Sequence, residues 1–483
     1  MPEAPRFSDR ETEPGAGPTP SNGAGTAATR APGAMKPGRH REASLYHALG
    51  GAGAADGRTL AQLRADARAA MAQAPLPVWR RSGFWSTSFE SLDFDALAGG
   101  ADAGAPAGVP AVVERTLPER ARAGRIVQAD GGVVSLMLEP ALAERGVILC
   151  SLEDAFAHHP ELVARWYSKR LTIDRNKLEA ANAALWSGGV FLYVPDELHV
   201  EDPFEIVYAI TRPGIAQYAR TLVVGAPHSD FRVHEYDLAE DFDSGQALFA
   251  GALELYLQDG ARVRLAALQD FGSGEVYDSS TRVVEVGRDA YCHWLPALLG
   301  GHLVHQHLEL AVAEPGGDMA FRGVFFAEEQ EHLDVFAVDL HETGPSGGDV
   351  HWRGAATGES RASFEGLIKI DPGAQQTHTY LQIHSMMLSP KARLDAIPSV
   401  LVSSDDVSAS HGGTVGELDE AAIFYMQTRG FDRAAAVRLI IEGFFEPLIS
   451  ELDDEPLAGV VREKIADKLA AAREDIETYA TAR

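Results

Sequence analysis

Residues 302–312, His-Leu-Val-His-Gln-His-Leu-Glu-Leu-Ala-Val, are typical of the middle of the chain. Their apolar and branched side chains, bounded by Gly301 before and Pro315 after, predict a β-strand. Similar short runs, separated by Gly, Pro, Asp, Asn and Ser, fill residues 191–416; clear examples are Phe204–Ile210, Thr221–Gly225, Ala261–Leu268, Arg282–Val286 and Leu367–Ile370. No strong helical period interrupts them, so the pattern predicts a sandwich, a barrel or a β-solenoid. The absence of a fixed-length sequence repeat leaves these alternatives open.

Helical patterns precede the strand region. Apolar residues from Leu60 to Met71 recur at three- and four-residue steps behind Thr59, which is a plausible N-cap. Further helical segments are expected from Pro160 onward and over residues 176–186, where Gly188 and Gly189 end the pattern.

Helical patterns also follow the strand region. The sequence predicts one helix over residues 419–428 closed by Gly430, a second capped by Asp432, and a third over about 456–479. The second helix carries an apolar stripe at helical spacing, made of Val437, Ile441, Phe444, Phe445 and Leu448. Spacing favours a core role for the stripe, and a docking face for a partner is the alternative.

These patterns divide the chain into four segments. Residues 1–39 contain thirteen Pro or Gly and a single aromatic residue, so we predict a disordered tail. Residues 40–190 are predicted as an N-terminal helical domain, 191–416 as the β domain and 417–483 as a C-terminal helical domain. The expected fold class is mainly β.

Composition restricts the possible functions. The 483 residues include 70 acidic and 42 basic residues, giving a formal net charge of -28. This charge argues against sequence-independent nucleic-acid binding and against attraction to anionic membranes. Two cysteines, Cys150 and Cys292, exclude a disulfide-dense scaffold and a four-cysteine metal site within one chain. No apolar run has the length of a signal peptide core or a transmembrane helix, so we expect a cytoplasmic protein.

The sequence contains no convincing catalytic motif. The chain has no Gly-x-x-x-x-Gly-Lys-Ser/Thr phosphate loop and no His-Glu-x-x-His metal motif. Residues 344–348 fit Gly-x-Ser-x-Gly, but turn residues surround them and a strand-like run follows, so we predict a β-turn rather than a nucleophile elbow. His305, His307 and Glu309 would share one face of a strand and could begin a metal site. We favour structural roles for them because no further ligand motif follows.

One block of sequence is distinctive enough to indicate a protein family. Residues 406–419 read Asp-Val-Ser-Ala-Ser-His-Gly-Gly-Thr-Val-Gly-Glu-Leu-Asp and continue through Ile423–Phe431 to Glu442-Gly443-Phe444-Phe445. This block resembles the SufD-type members of the SufB/SufD family, which are scaffold subunits of the SUF iron–sulfur cluster assembly machine. Supporting similarities are Asn176-Lys177-Leu178, residues 188–195, Ser389-Pro390-Lys391-Ala392 and Pro75-Leu76-Pro77.

The resemblance implies a fold and a function. The expected fold is a central right-handed parallel β-helix flanked by N-terminal and C-terminal α-helical domains. The chain would be a non-catalytic scaffold, not an enzyme, that pairs with SufB through the β-helix and binds the ATPase SufC through the C-terminal helices. The missing phosphate loop fits this expectation, since ATP hydrolysis would belong to another chain. Neither a nucleic acid nor a membrane is an expected partner.

The resemblance also implies site residues. His411, in the Ser-His-Gly motif, is expected to help hold metal or a nascent cluster at the SufB interface. The expected partner-binding residues are Phe424, Tyr425, Arg429, Gly430, Phe431, Phe444 and Phe445. Family members often carry Cys two residues before the histidine, where this chain has Ala409, so thiolate ligands would come mainly from SufB. We expect a transient iron–sulfur cluster in the complex and no cofactor held stably by this chain alone; the sequence does not decide flavin binding.

Two alternatives remain. A SufB-like subunit of the same machine is one, although it should carry a sulfur-accepting cysteine late in the β-helix and no cysteine follows Cys292. A β-helix carbohydrate lyase or hydrolase is the other. It would need carboxylates that converge on an open groove, whereas Asp405 and Asp406 are adjacent and would alternate faces.

Overall fold

An N-terminal segment of short helices and strands precedes the β domain. The structure, a computed structural model, describes residues 58–81, 85–99, 104–173, 175–472 and 476. The elements in this segment are α1 (Leu60–Gln73), β1 (Val78–Arg81), β2 (Trp85–Ser88), a 3-10 turn (Phe94–Ala96), β3 (Ala98–Gly99), α2 (Ala111–Thr116), β4 (Gly124–Ala129), β5 (Gly132–Leu138), α3 (Pro140–Glu144), β6 (Ile148–Cys150), α4 (Leu152–His158), α5 (Pro160–Trp166) and α6 (Lys177–Leu185). Thr59 caps α1 in a capping box with Gln62.

A β-solenoid of about eight turns follows. Its strands are β7 (Val190–Val194), β8 (Phe204–Ile210), β9 (Ile215–Gly225), β10 (Asp230–Ala239), β11 (Gln246–Leu257), β12 (Arg262–Asp270), β13 (Glu275–Val286), β14 (Tyr291–Leu298), β15 (Leu303–Val312), β16 (Asp318–Ala327), β17 (His332–His341), β18 (Ser346–Ala356), β19 (Arg361–Ile370), β20 (Thr377–Met387), β21 (Arg393–Val402) and β22 (Val407–Gly416). The family resemblance anticipated this parallel winding, which strand pattern alone left open.

Each turn adds one strand to each of two sheets. Strands β8, β10 and the later even-numbered strands form one parallel sheet, the even sheet, which β4 and β5 extend at its start. Strands β7 to β21 with odd numbers form the facing odd sheet. Side chains in register stack into columns, as in Trp294, Phe321, Val350 and Leu381. These side chains fill the space between the sheets, and the Trp294 and Phe321 rings stack at 4.9 Å.

The C-terminal segment forms α7 (Glu420–Thr428), α8 (Arg433–Ile449) and α9 (Glu455–Ala471). Asp419 and Asp432 cap α7 and α8, and Gly430 has the positive φ of 96° that ends α7. The apolar faces of α8 and α9 cover the outer face of the even sheet. The N-terminal helices cover part of the outer face of the odd sheet in the same way.

The fold refines the predicted segments. The predicted tail, residues 1–39, lies outside the described residues. Residues 40–190 contain strands as well as helices, and β4 joins the even sheet of the solenoid, so this segment is not purely helical. No helix in the described ranges is long and apolar enough to cross a membrane.

Candidate functional site

The solenoid ends in an open turn made of β21 and β22. Each strand pairs on one side with the preceding turn, and the described residues provide no further strand on the other side. Four apolar side chains are exposed there, namely Val400, Leu401, Val402 and Val415. Unpaired strand edges and exposed apolar side chains favour pairing with another chain. The sequence does not single out these four residues, because a strand pattern does not reveal which turn is last.

His411 lies on β22 at this open end. It is in register with Leu381, so it continues the interior column of Trp294, Phe321, Val350 and Leu381. Leu381 is fully buried, whereas His411 is exposed because the solenoid adds no further turn above it. The imidazole therefore lies at the mouth of the solenoid, where a second chain can reach it.

The neighbours of His411 on β22 are small. Ala409 is half-buried and packs against the interior core. A Cβ on Gly413 would lie 3.3 Å from the Pro398 ring, so glycine lets β22 approach β21 closely here. No group of three or more His, Cys, Asp or Glu side chains in the described part of the chain has the spacing of a metal site. A metal on His411 would therefore need ligands from another chain.

The exposed surface of the C-terminal helices contains most of the predicted docking residues. Phe424, Tyr425 and Phe431 are 67%, 55% and 42% exposed. Arg429 lies over the Tyr425 ring at 5.0 Å and donates a 2.9 Å hydrogen bond to its hydroxyl. Together with Gly430 they form one aromatic surface at the end of α7, the α7 aromatic patch.

Phe444 and Phe445 occupy different environments. Phe445 is fully buried and packs on Phe326 of the even sheet at 6.2 Å between ring centroids. Phe444 is half-buried beneath Arg353, whose guanidinium donates to the Phe444 carbonyl. The apolar stripe of α8 is therefore mainly core, as spacing favoured, and Phe445 offers no surface to a partner in this structure.

The two histidines on β15, His305 and His307, contact neighbouring side chains. His305 stacks on Trp79 at 3.6 Å and lies 3.1 Å from Asp334, and His307 lies 2.6 Å from Arg175. Glu309 is fully buried, and burial raises its pKa to about 7. The contacts of His305 and His307 support the favoured structural interpretation of these two residues.

The Gly-x-Ser-x-Gly motif is not a nucleophile elbow. Ser346 begins β18 directly after the turn, and a strand rather than a helix follows it. Its side chain is buried between the sheets and hydrogen-bonds to His341.

Comparisons with known proteins agree with this architecture. Residues 208–444 match the family model of the SUF system FeS cluster assembly, SufBD core domain, and residues 126–206 match that of the SufBD protein N-terminal region. The chain is 30% identical over 343 residues to the iron-sulfur cluster assembly protein SufD of Bacillus subtilis, covering 70% of this chain and 77% of that one. It is 27% identical over 355 residues to an iron-sulfur cluster assembly SufBD family protein of Pyrococcus horikoshii, covering 72% and 77%. The chain belongs to the SufBD family, and its role lies in SUF iron–sulfur cluster assembly.

Proposed function

We propose that this chain is a SufD-type, non-catalytic scaffold subunit that pairs with SufB and docks the ATPase SufC. The observation that supports this proposal best is the open end of the solenoid. Two free strand edges, four exposed apolar side chains and an accessible histidine lie together there. Such an end is built to be covered by a second chain with strands of its own.

Pairing with SufB would use β21 and β22. Added strands would satisfy the edge N–H and C=O groups, and the partner would bury the apolar side chains around Leu401 and Val415. His411 would then lie inside the interface. This arrangement supports a role in holding iron or a nascent cluster, because imidazole ligates iron and the partner can supply thiolates.

Docking of SufC would use the α7 aromatic patch. Aromatic and arginine side chains dominate the binding energy of many protein interfaces, and Phe424, Tyr425 and Arg429 are of these types. The patch lies on helices distinct from the open end, so both partners could bind at once. ATP binding and hydrolysis would be supplied by SufC, since this sequence has no phosphate loop of its own.

Co-expression tests the proposal. The tagged chain is produced together with SufB and SufC of its own operon, and the purified material is analysed by size exclusion with light scattering. We expect a stable complex that contains all three proteins. If the folded chain elutes alone in every preparation, the scaffold proposal is wrong.

His411→Ala tests the role of the histidine in the same complex. We expect the complex to assemble normally, because His411 is exposed, and cluster formation measured by absorbance and iron content to fall severalfold. Ser408→Ala, also exposed on β22, is the matched control and should leave cluster formation unchanged. Normal cluster yield in the His411→Ala complex would remove the ligand role.

A further inference from the structure

The even sheet ends at its N-terminal side in an exposed apolar strand. Within the described residues, β5 is the last strand there and pairs with β4 alone. Its sequence, Gly-Val-Val-Ser-Leu-Met-Leu, contains no charged residue and no proline, which are the usual means of protecting a strand edge. Val133, Leu136 and Met137 are 37%, 50% and 38% exposed. An unprotected apolar edge of this kind favours the addition of a further strand.

The hydrogen-bond alternation shows which backbone groups of β5 face outward. The N–H of Glu139, directly after β5, donates to the carbonyl of Ala123. In an antiparallel pair every second residue directs its backbone groups toward the partner strand, so Met137 and Ser135 face β4. Leu136 therefore directs its N–H and C=O away from the sheet, and no hydrogen bond from the described part of the chain reaches them. A further strand can pair with β5 at Leu136.

An open groove with a volume of about 570 Å³ lies beside this edge. Its lining includes Val133 and Leu136 of β5, the α4 cap Ser151, and Glu153 and Asp154 in the first turn of α4. We call this feature the β5 groove. A segment that pairs with β5 would have side chains next to the groove, so the edge and the groove can bind the same occupant.

The charge of the β5 groove restricts which segments fit it. The lining contains three acidic residues, Asp130, Glu153 and Asp154, and no lysine, arginine or histidine. Asp130 is buried and Glu153 pairs with Arg64 at 2.7 Å, whereas Asp154 forms no ion pair with a lysine or arginine of the described ranges. The uncompensated carboxylate of Asp154 favours an occupant with a basic side chain. The same groove of a second copy would bring like charges together.

We propose that the β5 groove binds an extended segment of another protein, which adds a strand to β5. The main chain of the segment pairs with Leu136, an apolar side chain covers Val133 and Leu136, and a lysine or arginine pairs with Asp154. The site lies at the opposite end of the even sheet from His411. It uses none of the residues assigned to SufB or SufC, so it does not depend on either partner.

Peptide binding to the full-length chain tests the proposal. The probe is a fluorescently labelled peptide of alternating threonine and valine with one lysine, and binding is followed by anisotropy at about 0.15 M ionic strength. Replacing the lysine by glutamate should weaken binding about tenfold or more, because the carboxylates would repel each other. Replacing the central valine by proline should abolish binding, because proline has no N–H to donate to the edge.

Two variants of the chain test the proposed contacts. Leu136→Pro removes the outward N–H and the apolar side chain, so binding of the lysine peptide should weaken about tenfold or more. Asp154→Asn should weaken it about two- to fivefold, and it gives the answer if circular dichroism shows that Leu136→Pro does not fold. Glu144→Gln, exposed on α3 and outside the groove, is the matched control for Asp154→Asn and should leave binding unchanged.

Further measurements separate the β5 groove from other sites and occupants. Leu401→Lys, at the open end of the solenoid, should leave peptide binding unchanged. The proposal is wrong if Leu401→Lys abolishes binding and Leu136→Pro does not, since the peptide would then lie at the open end. It is also wrong if the wild type binds no lysine peptide, or if folded Leu136→Pro and Asp154→Asn bind it as the wild type does. A dimer in light scattering that Leu136→Pro converts to monomer would identify the occupant as a second copy and overturn the proposal.

Discussion

At the scale of single residues, the solenoid interior holds charge as well as apolar side chains. Arg282 is buried among Glu235, Asp237 and Asp278, and it donates to the first two. One cation faces three carboxylates there. Burial raises the pKa of Asp278 to about 6, although Arg282 and the hydrogen bonds from Ser280 and Gln306 oppose the shift.

This shift predicts a pH dependence of stability. Below about pH 4 Asp278 is protonated in both the folded and the unfolded chain. As pH rises toward 6, the unfolded chain loses this proton before the folded chain does, so the unfolding free energy falls. In Asp278→Asn that loss is absent. Relative to wild type, the variant should therefore gain up to about 3 kcal/mol in unfolding free energy between pH 4 and pH 7. Denaturant melts across this range measure the difference, and Asp196→Asn, at an exposed turn, should show none.

At the scale of elements, the turn between α8 and α9 anchors the helices to the solenoid. Asp453 forms ion pairs with Arg232 of β10 and Arg264 of β12 at 2.8 and 3.2 Å. Asp454 pairs with Arg120 of the N-terminal segment and also caps α9 through the backbone N–H of Leu457. One short turn thus joins the C-terminal helices to both other parts of the molecule.

Cap substitutions test this anchor. Asp454→Ala removes both a cap and a largely buried ion pair, whereas Asp432→Ala removes only an exposed cap at α8. We expect Asp432→Ala to lower the unfolding free energy by about 1 kcal/mol and Asp454→Ala by about twice as much. Equal losses in denaturant melts would show that the pairing with Arg120 contributes nothing.

At the scale of the whole molecule, the two ends of the solenoid differ. The C-terminal end is the open turn of the parallel strands β21 and β22, and the sheets end at the N-terminal side in the antiparallel strands β5 and β6. Exposed apolar side chains occur at both ends, with Leu401 and Val415 at one and Leu136 at the other. The proposed pairing with SufB assigns a function to the first end only.

Charged substitutions distinguish the ends. Leu401→Lys and Val415→Lys should weaken binding of SufB about tenfold or more, because a lysine charge would be buried on pairing. Leu136→Lys should leave binding unchanged. Each variant should keep its own stability within about 0.5 kcal/mol, since the side chains are exposed. Binding is measured by titrating purified SufB, and weakening by Leu136→Lys alone would place the interface at the other end.

Local signals predicted much of this molecule. The caps Thr59 and Asp432 and the C-terminal Gly430 were predicted correctly, because a cap is formed by neighbours in sequence. The strand-rich region was evident from composition and turn residues. Family resemblance selected the β-helix, which pattern alone left beside a sandwich and a barrel.

The turns of the solenoid do not produce a sequence repeat of fixed length. Stacked residues Trp294, Phe321, Val350, Leu381 and His411 follow one another at steps of 27, 29, 31 and 30 residues. Turns of unequal length therefore give the same stacking without a fixed period.

The strand-rich middle, the helical flanks, the lack of a phosphate loop and the position of the Ser-His-Gly motif can all be read from the sequence. Three features depend on the folded molecule: His411 lies at the mouth of the solenoid, Phe445 is core while Phe424 is exposed, and Asp339 and His341 contact Thr379 and Ser346. The physical reason is distance along the chain. Caps and strand periods depend on neighbours, whereas exposure and side-chain partners depend on which turns and helices pack together.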